Sequence, residues 1–192
     1  MKPRSADELE LAFSTEPIVG WRVWRVLRPI DRKLSALELA AELLEAEQRG
    51  EPRPVERLFR YRLRSLTQPV FWPPRTRLEA RCNVERADGF AHGGGPDAYC
   101  ECGLWALRRR DLAEHVLASY ADSGVSLALG RLALWGRIVE QERGWRGQYA
   151  YPLDLTVLSG TGEMERDLRE DYGIAVSLAR EQDRTRRRRR AA

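Results

Sequence analysis

The first strongly patterned segment covers residues 17–29, PIVGWRVWRVLRP, in which valines and tryptophans are interleaved with arginines. Successive side chains of a strand point to opposite faces, so this near-alternation predicts a half-buried β-strand. Residues 1–16 are polar with scattered apolar positions, and we expect them to form a loosely ordered lead-in.

Three segments have the apolar spacing of helices. Residues 35–48 begin at Ser35, an N-cap residue with a glutamate three positions later, and their leucines recur at helical intervals. Residues 110–121 carry a second apolar stripe, and residues 163–180 a third that Gly173 is expected to interrupt. The pattern therefore predicts two or three helices.

The remaining apolar runs are short and extended. Segment 68–76 contains three prolines and is predicted as a turn, and QERG is predicted as a four-residue hairpin connection in which Gly144 is able to take a positive φ. The segments predicted to be extended are 55–66, 77–84, 98–107, 125–130, 131–140 and 144–158, with a short helix as the alternative for 77–84. Strands joined by hairpins, with helices inserted singly, indicate an α+β domain with a mainly antiparallel, curved sheet. We favour a small β-barrel over residues 17–180, with the helix at 35–48 as an insertion.

The excess positive charge lies at the C-terminal end. The chain has 192 residues and a net charge of +4, and residues 181–192 hold six arginines against two acids, so the remainder is neutral. The arginines of this tail, predicted to be disordered, are Arg184, Arg186, Arg187, Arg188, Arg189 and Arg190. They could make a weak, salt-sensitive contact with a polyanion, or they could simply be a solvated tail without function.

The composition excludes several classes of protein. No window approaches about 18 uninterrupted apolar residues, and the N-terminus lacks the apolar core of a signal peptide. We therefore expect a cytoplasmic protein without a membrane partner. Phosphate-binding glycine loops, HExxH and nucleophile-elbow motifs are absent from the sequence, which lowers the expectation of an enzyme.

The cysteines and one histidine are the main candidates for chemistry. Cys100 and Cys102 are one residue apart, Cys82 lies eighteen positions before Cys100, and His92 lies in the glycine-rich segment between them. Together they supply the three sulfurs and one imidazole of a closed tetrahedral zinc site, so we expect one structural zinc ion. Two alternatives remain open: buried, inert cysteines on one face of a strand, or a reactive cysteine with His92 as its base.

Aromatic residues are concentrated in the predicted strands and suggest a binding surface. On a regular strand from residue 144, Trp145 and Tyr149 share one face. The candidate ligand-binding residues of this aromatic and arginine hairpin face are Trp21, Trp135, Arg137, Glu140, Trp145, Arg146 and Tyr149. Such a face suits a base, a nucleotide or a cationic ligand, although aromatic residues also fill the cores of small barrels.

Several of these blocks resemble an uncharacterised family of actinobacterial proteins. They are VGWRVW, WPPRTRLEARC, H-x7-C-x-C-G followed by an aromatic residue and Ala106, and GRLALWGRIVE-x-ERGWRG-x-YAYP, which is the most specific. The resemblance extends from Val19 to Pro152. Relatives often carry a histidine after the glutamate that corresponds to Glu140, where this chain has Gln141, and the helix at 35–48 is a second departure. The resemblance implies a bacterial domain with a selected Cys/His set, but it does not point to any particular activity.

Three functions are consistent with the sequence. The leading hypothesis is a non-enzymatic binding or regulatory module, clipped by zinc, whose partner is an unidentified protein or small ligand. The alternatives are a small cysteine-dependent enzyme and a nucleic-acid-binding accessory protein that uses the arginine tail.

Overall fold

The sheet is built mainly from three long strands. The computed structural model describes residues 11–31, 58–68, 70–82, 94–120 and 124–179, together with Ala40, Leu44 and Glu47. The strands are β1 (Leu11–Leu27), β2 (Arg62–Arg64), β3 (Leu78–Glu79), β4 (Leu104–Leu107), β5 (Ser126–Gln141), β6 (Gly144–Leu158) and β7 (Ala175–Leu178). The helices are α1 (Arg110–Ser119) and α2 (Gly162–Tyr172), with a 3-10 turn at Pro29–Asp31. Over the described residues, the prediction of an α+β domain with a sheet is confirmed.

The pairing of the strands places β5 between β1 and β6, antiparallel to both. Strand β4 pairs with β6 along its whole length and meets β1 through Trp21 and Leu107. Strands β2 and β3 extend the sheet from β1 and β6, and β7 lies parallel to β6. Strand β4 is thus paired with two of the three long strands, β1 and β6.

The long strands differ from the predicted ones in extent. Strand β1 begins at Leu11, so residues 11–16 of the expected lead-in belong to it. The segments 125–130 and 131–140, predicted as separate pieces, form the single strand β5. Gly130 does not end this strand but permits close approach, because a Cβ there would overlap the carbonyl oxygen of Asp154 on β6.

The hairpin between β5 and β6 has a two-residue turn, since Gln141 pairs with Gly144. The prediction of a four-residue connection is therefore wrong, and Gly144 does not adopt the positive φ that a glycine permits. The glycine serves a different purpose: a Cβ at Gly144 would overlap the carbonyl oxygen of Ala106, so glycine is what allows β4 to pair closely with β6.

The strand predicted over residues 55–66 is reduced to the three residues of β2. Just before β2, the amide of Tyr61 donates to the carboxylate of Asp167 on α2 at 3.1 Å instead of to a strand. After β2 the chain turns back, and the amide of Trp72 donates to the carbonyl of Leu63 at 2.9 Å. The alternating apolar residues of this segment therefore lie at an edge of the core. There a side chain, instead of a neighbouring strand, accepts a backbone hydrogen bond.

The helices agree with the sequence where they are described. Helix α1 confirms the prediction of a helix that begins at Arg110, and it ends at Ser119, with Tyr120 as its C-cap. Helix α2 ends earlier than the predicted 163–180, because Gly173 adopts a left-handed conformation with φ of 63° and the following residues form β7. The predicted helix 35–48 falls outside the described residues apart from Ala40, Leu44 and Glu47, which are helical and exposed.

Two apolar clusters cover the two faces of β1 and β5. The larger contains Trp24, Trp72, Leu168 and Tyr172, and the smaller packs Leu117 of α1 on the sheet. The hydroxyl of Tyr172 donates to the carbonyl of Trp72 at 2.8 Å and accepts from the amide of Leu63 at 3.1 Å. This one buried hydroxyl therefore links α2 to two neighbouring segments of the chain.

Candidate metal centre

Cys82, Cys100 and Cys102 come together in the fold. Their three Sγ atoms all lie within 4.8 Å of one another, and the Sγ atoms of Cys82 and Cys100 are 3.6 Å apart. Each thiol is half-buried and reduced. Two thiolates on a tetrahedral zinc ion, at Zn–S distances near 2.3 Å, are about 3.8 Å apart. The cluster therefore has dimensions that can hold a metal ion.

The cysteines are delivered by two segments that the sheet holds in register. Cys82 follows β3, where the amide of Ala80 donates to the carbonyl of Gln148 on β6 at 2.8 Å. Cys100 and Cys102 lie in the loop before β4, and the amide of Gly95 in that loop donates to the carbonyl of Ala80 at 3.3 Å. The strand predicted over 98–107 is therefore shorter than expected, and Cys100 and Cys102 do not share a strand face, because both precede the start of β4 at Leu104.

Close packing explains two of the glycines in this loop. A Cβ at Gly95 would lie 3.1 Å from the Sγ of Cys102. Gly103 has a φ of 121°, which side chains rarely adopt, and a Cβ there would lie 3.0 Å from the Cβ of Arg146. The loop can bring its sulfurs toward Cys82 because these positions lack side chains.

Arg146 on β6 donates hydrogen bonds to the cysteine loop. Its side chain is buried, and its Nη1 donates to the carbonyls of Asp97 at 3.3 Å, of Cys102 at 2.8 Å and of Cys100. The guanidinium also stacks 5.5 Å from the ring centroid of Trp105. One cation thus holds three carbonyls of the loop that carries two of the thiols.

Burial shifts the pKa values of two groups at the site, the Cys102 thiol and the Arg146 guanidinium. Burial raises the pKa of the Cys102 thiol to about 12, with the neighbouring Cys100 adding to the rise. Burial also lowers the pKa of Arg146, although the nearby cysteines oppose that effect. A thiol of high pKa is a weak nucleophile at neutral pH, so Cys102 does not meet the requirement of the cysteine-enzyme hypothesis.

The two histidines have different positions. His92, the predicted fourth ligand and the predicted base, falls outside the described residues. His115 is exposed on α1 and is not among the residues grouped with the three thiols in the described part of the chain. The arginine tail from Arg184 to Arg190 also falls outside the described part of the chain.

The residues predicted to form the ligand face make several separate local contacts. Trp135 and Tyr149 pair across β5 and β6, with ring centroids 6.1 Å apart. Arg137, at the adjacent bulge of β5, donates to the carbonyl of Gly94 in the cysteine loop at 2.8 Å. Arg146 lies on β6, and its buried side chain donates to the carbonyls of the cysteine loop instead of facing an exposed surface.

Trp145 and Trp21 lie in other environments. Glu140 is paired in register with Trp145 and forms an ion pair with Arg108, whose guanidinium lies 4.5 Å from the Trp145 ring centroid. Trp21 of β1 is covered by Arg110 at 5.4 Å. The structure therefore brings together Trp135, Tyr149 and Arg137, and separately Glu140 with Trp145.

Several aromatic rings are covered by arginines that were not among the candidate ligand-binding residues. Arg77 lies 4.3 Å from the centroid of Tyr149, and Arg22 lies 5.2 Å from that of Trp72. The feature of the sequence that could have indicated these contacts is the near-absence of lysine: Lys2 and Lys33 are the only lysines among 33 basic residues. Arginine stacks on aromatic faces through a planar group, so many of the rings already have an intramolecular cation.

Comparison with known proteins identifies no relative. No protein-family model matches the chain, and neither curated proteins nor solved structures yield a match. Among the described residues, neither helix is long and apolar enough to cross a membrane.

Proposed function

We propose that this chain is a non-enzymatic binding or regulatory module stabilised by one structural zinc ion. The ligands are Cys82, Cys100 and Cys102, with His92 as the fourth. The observation that carries the proposal is the approach of three Sγ atoms to within 4.8 Å of one another from two separate segments. Three sulfurs and one imidazole form a closed tetrahedral set, which is typical of structural rather than catalytic zinc.

The position of the site in the fold supports a structural role. The cysteine loop leads directly into β4, the short strand that pairs with both β6 and β1. A metal ion that joins this loop to Cys82 would fix the entry of β4 into the sheet. We propose that this closes the sheet as a small barrel, and metal binding would then contribute directly to folding.

Cobalt substitution tests the ligand set. Full-length, metal-free protein is titrated with Co²⁺, whose visible bands are intense in tetrahedral sites and whose near-ultraviolet bands report sulfur ligation. We expect saturation at one equivalent with both sets of bands. Weak octahedral bands, or saturation without sulfur bands, would contradict the proposal.

The two histidines provide a matched pair of variants. His92→Ala should weaken Co²⁺ binding and change the visible bands, because an imidazole is replaced by water in the fourth position. His115→Ala should leave both affinity and spectrum unchanged, since His115 is exposed on α1. Equal effects of the two variants would remove His92 from the site while leaving the three cysteines in place.

We further propose that the binding surface centres on Trp135 and Tyr149, next to the metal loop. The support is the pairing of these rings at 6.1 Å, the cation of Arg77 at 4.3 Å from Tyr149, and the bond from Arg137 to the loop. Two rings beside arginines favour an anionic ligand with an aromatic group, such as a nucleotide, over a cation, because the arginines would repel the latter.

Nuclear magnetic resonance of the tryptophan indole groups tests this surface with two probes. Adenosine monophosphate should shift the Trp135 signal, and Trp135→Phe serves to assign that signal. Tetramethylammonium should shift no tryptophan signal. A response to tetramethylammonium alone, or to neither probe, would contradict the choice of ligand class.

A further inference from the structure

Two of the three thiols are already in van der Waals contact. The Sγ atoms of Cys82 and Cys100 are 3.6 Å apart, although seventeen residues separate them in the chain. A disulfide has a sulfur–sulfur distance of about 2.05 Å. A shift of roughly 1.5 Å, which side-chain rotation and small loop motions can supply, therefore brings these two sulfurs to bonding distance.

We propose that Cys82 and Cys100 form a reversible disulfide when a peroxide oxidises the site, and that the bond expels the metal ion. The second half of this statement rests on the proposed zinc site, whereas the first half does not. The chain would then be a module whose metal content depends on the oxidation state of its surroundings.

The reaction balances with a peroxide as the oxidant. One cysteine sulfur attacks the O–O bond, which breaks to give a sulfenic acid and one water molecule. The second sulfur attacks the sulfenic sulfur, so that the S–S bond forms and the S–OH bond breaks with loss of a second water molecule. In sum, two thiols lose two electrons, hydrogen peroxide is reduced to two water molecules, and two sulfur ligands are withdrawn from the metal.

The geometry favours Cys82–Cys100 over the alternative within the C-x-C pair. Cys100 and Cys102 are one residue apart in a loop whose carbonyls at both positions accept bonds from Arg146. A bond between them would have to form a small ring while the backbone is held at each end. The Sγ of Cys102 also packs on Gly95, where even a Cβ would lie 3.1 Å away. Cys82 lies on a different segment and can approach Cys100 without such a ring.

Peptide mapping tests the proposal directly. The full chain is treated with hydrogen peroxide, remaining thiols are alkylated, and the protein is digested with trypsin without reduction. Cleavage at Arg86 separates Cys82 from the peptide that carries Cys100 and Cys102. We expect a cross-linked pair of peptides 82–86 and 87–108 with one alkylated thiol, and its loss after treatment with dithiothreitol.

Variants assign the partner within the C-x-C pair. In metal-free Cys102→Ser the cross-link should form as in the wild type, and in Cys100→Ser it should fall at least tenfold. A bond within peptide 87–108, oxidation only to sulfinic acid, or a cross-link that survives in Cys100→Ser would overturn the proposal. Monomeric mass before digestion excludes a bond between two chains.

A zinc indicator separates this inference from the proposed function. In zinc-loaded protein, peroxide should release one equivalent of zinc as the cross-link forms, and dithiothreitol should restore binding. If the chain binds zinc but forms no cross-link, the redox inference fails alone. If metal-free protein forms the cross-link but never binds zinc, the metal proposal fails and the disulfide stands.

Discussion

The replacement of Arg146 by methionine tests whether the buried cation holds the cysteine loop in place. Methionine keeps an unbranched apolar stem that can pack on Trp105 but has no hydrogen-bond donor. The change therefore removes the donor that serves the carbonyls of Asp97, Cys100 and Cys102. We expect both the free energy of unfolding and the affinity for zinc to fall.

The magnitude follows from the contacts of Nη1. This nitrogen carries two hydrogens, and a hydrogen bond from a charged donor contributes about 1.5–3 kcal/mol. The burial that lowers the pKa of Arg146 shows that the cation also carries a desolvation cost, which the variant relieves. We expect a net loss of roughly 2–4 kcal/mol in the free energy of unfolding. Loss of a group that orients metal ligands typically weakens metal affinity about 10–100-fold.

Two measurements and one control decide the outcome. Urea unfolding of metal-free protein gives the stability change, and competition with a chromophoric chelator gives the zinc affinity. Arg131→Met is the control, because Arg131 forms an exposed ion pair with Asp154 and should change stability by less than about 1 kcal/mol without affecting zinc. If Arg146→Met matches this control in both measurements, Arg146 does not position the loop.

The remaining predictions concern the framework around the site. Gly130→Ala should destabilise the chain by about 3 kcal/mol or more, because its Cβ would overlap backbone of β6, whereas Gly162→Ala, which meets open space, should change the urea midpoint little. Thr161→Ala should cost about 1 kcal/mol in the same assay, because Thr161 caps the amide of Met164 at 3.3 Å. Burial raises the pKa of Tyr172 to about 12 from its usual 10, so the unfolded chain loses this proton first and stability should fall between pH 10 and 12. The wild type should lose roughly 2–3 kcal/mol more than Tyr172→Phe over that range, and equal pH profiles would contradict the assignment.

Elements with a strong local pattern were predictable from the sequence. Segment 144–158 has the bounds of β6, because alternating aromatic and apolar residues follow a short hairpin turn. Helix α1 is also close to its predicted span, since its apolar stripe is regular. In both elements the local pattern and the long-range packing favour the same structure.

Features that depend on contacts distant in sequence were not predictable. The strand expected over 55–66 is interrupted because a carboxylate of α2 accepts the amide of Tyr61, and nothing near Tyr61 in the sequence indicates that partner. Arg146 was expected on the aromatic and arginine hairpin face, yet three loop carbonyls make its burial favourable. The cysteines were selected by residue type and spacing, whereas the pairing of β3 and β4 with β6 is what brings Cys82 to the C-x-C pair.

Elemental analysis of untagged full-length protein, beside Cys100→Ser prepared in the same way, tests the central claim most directly. We expect one zinc per wild-type chain, and in the variant the loss of that zinc together with a lower melting temperature. Wild-type protein that stays metal-free after incubation with zinc, with three thiols that titrate freely, would contradict the metal centre.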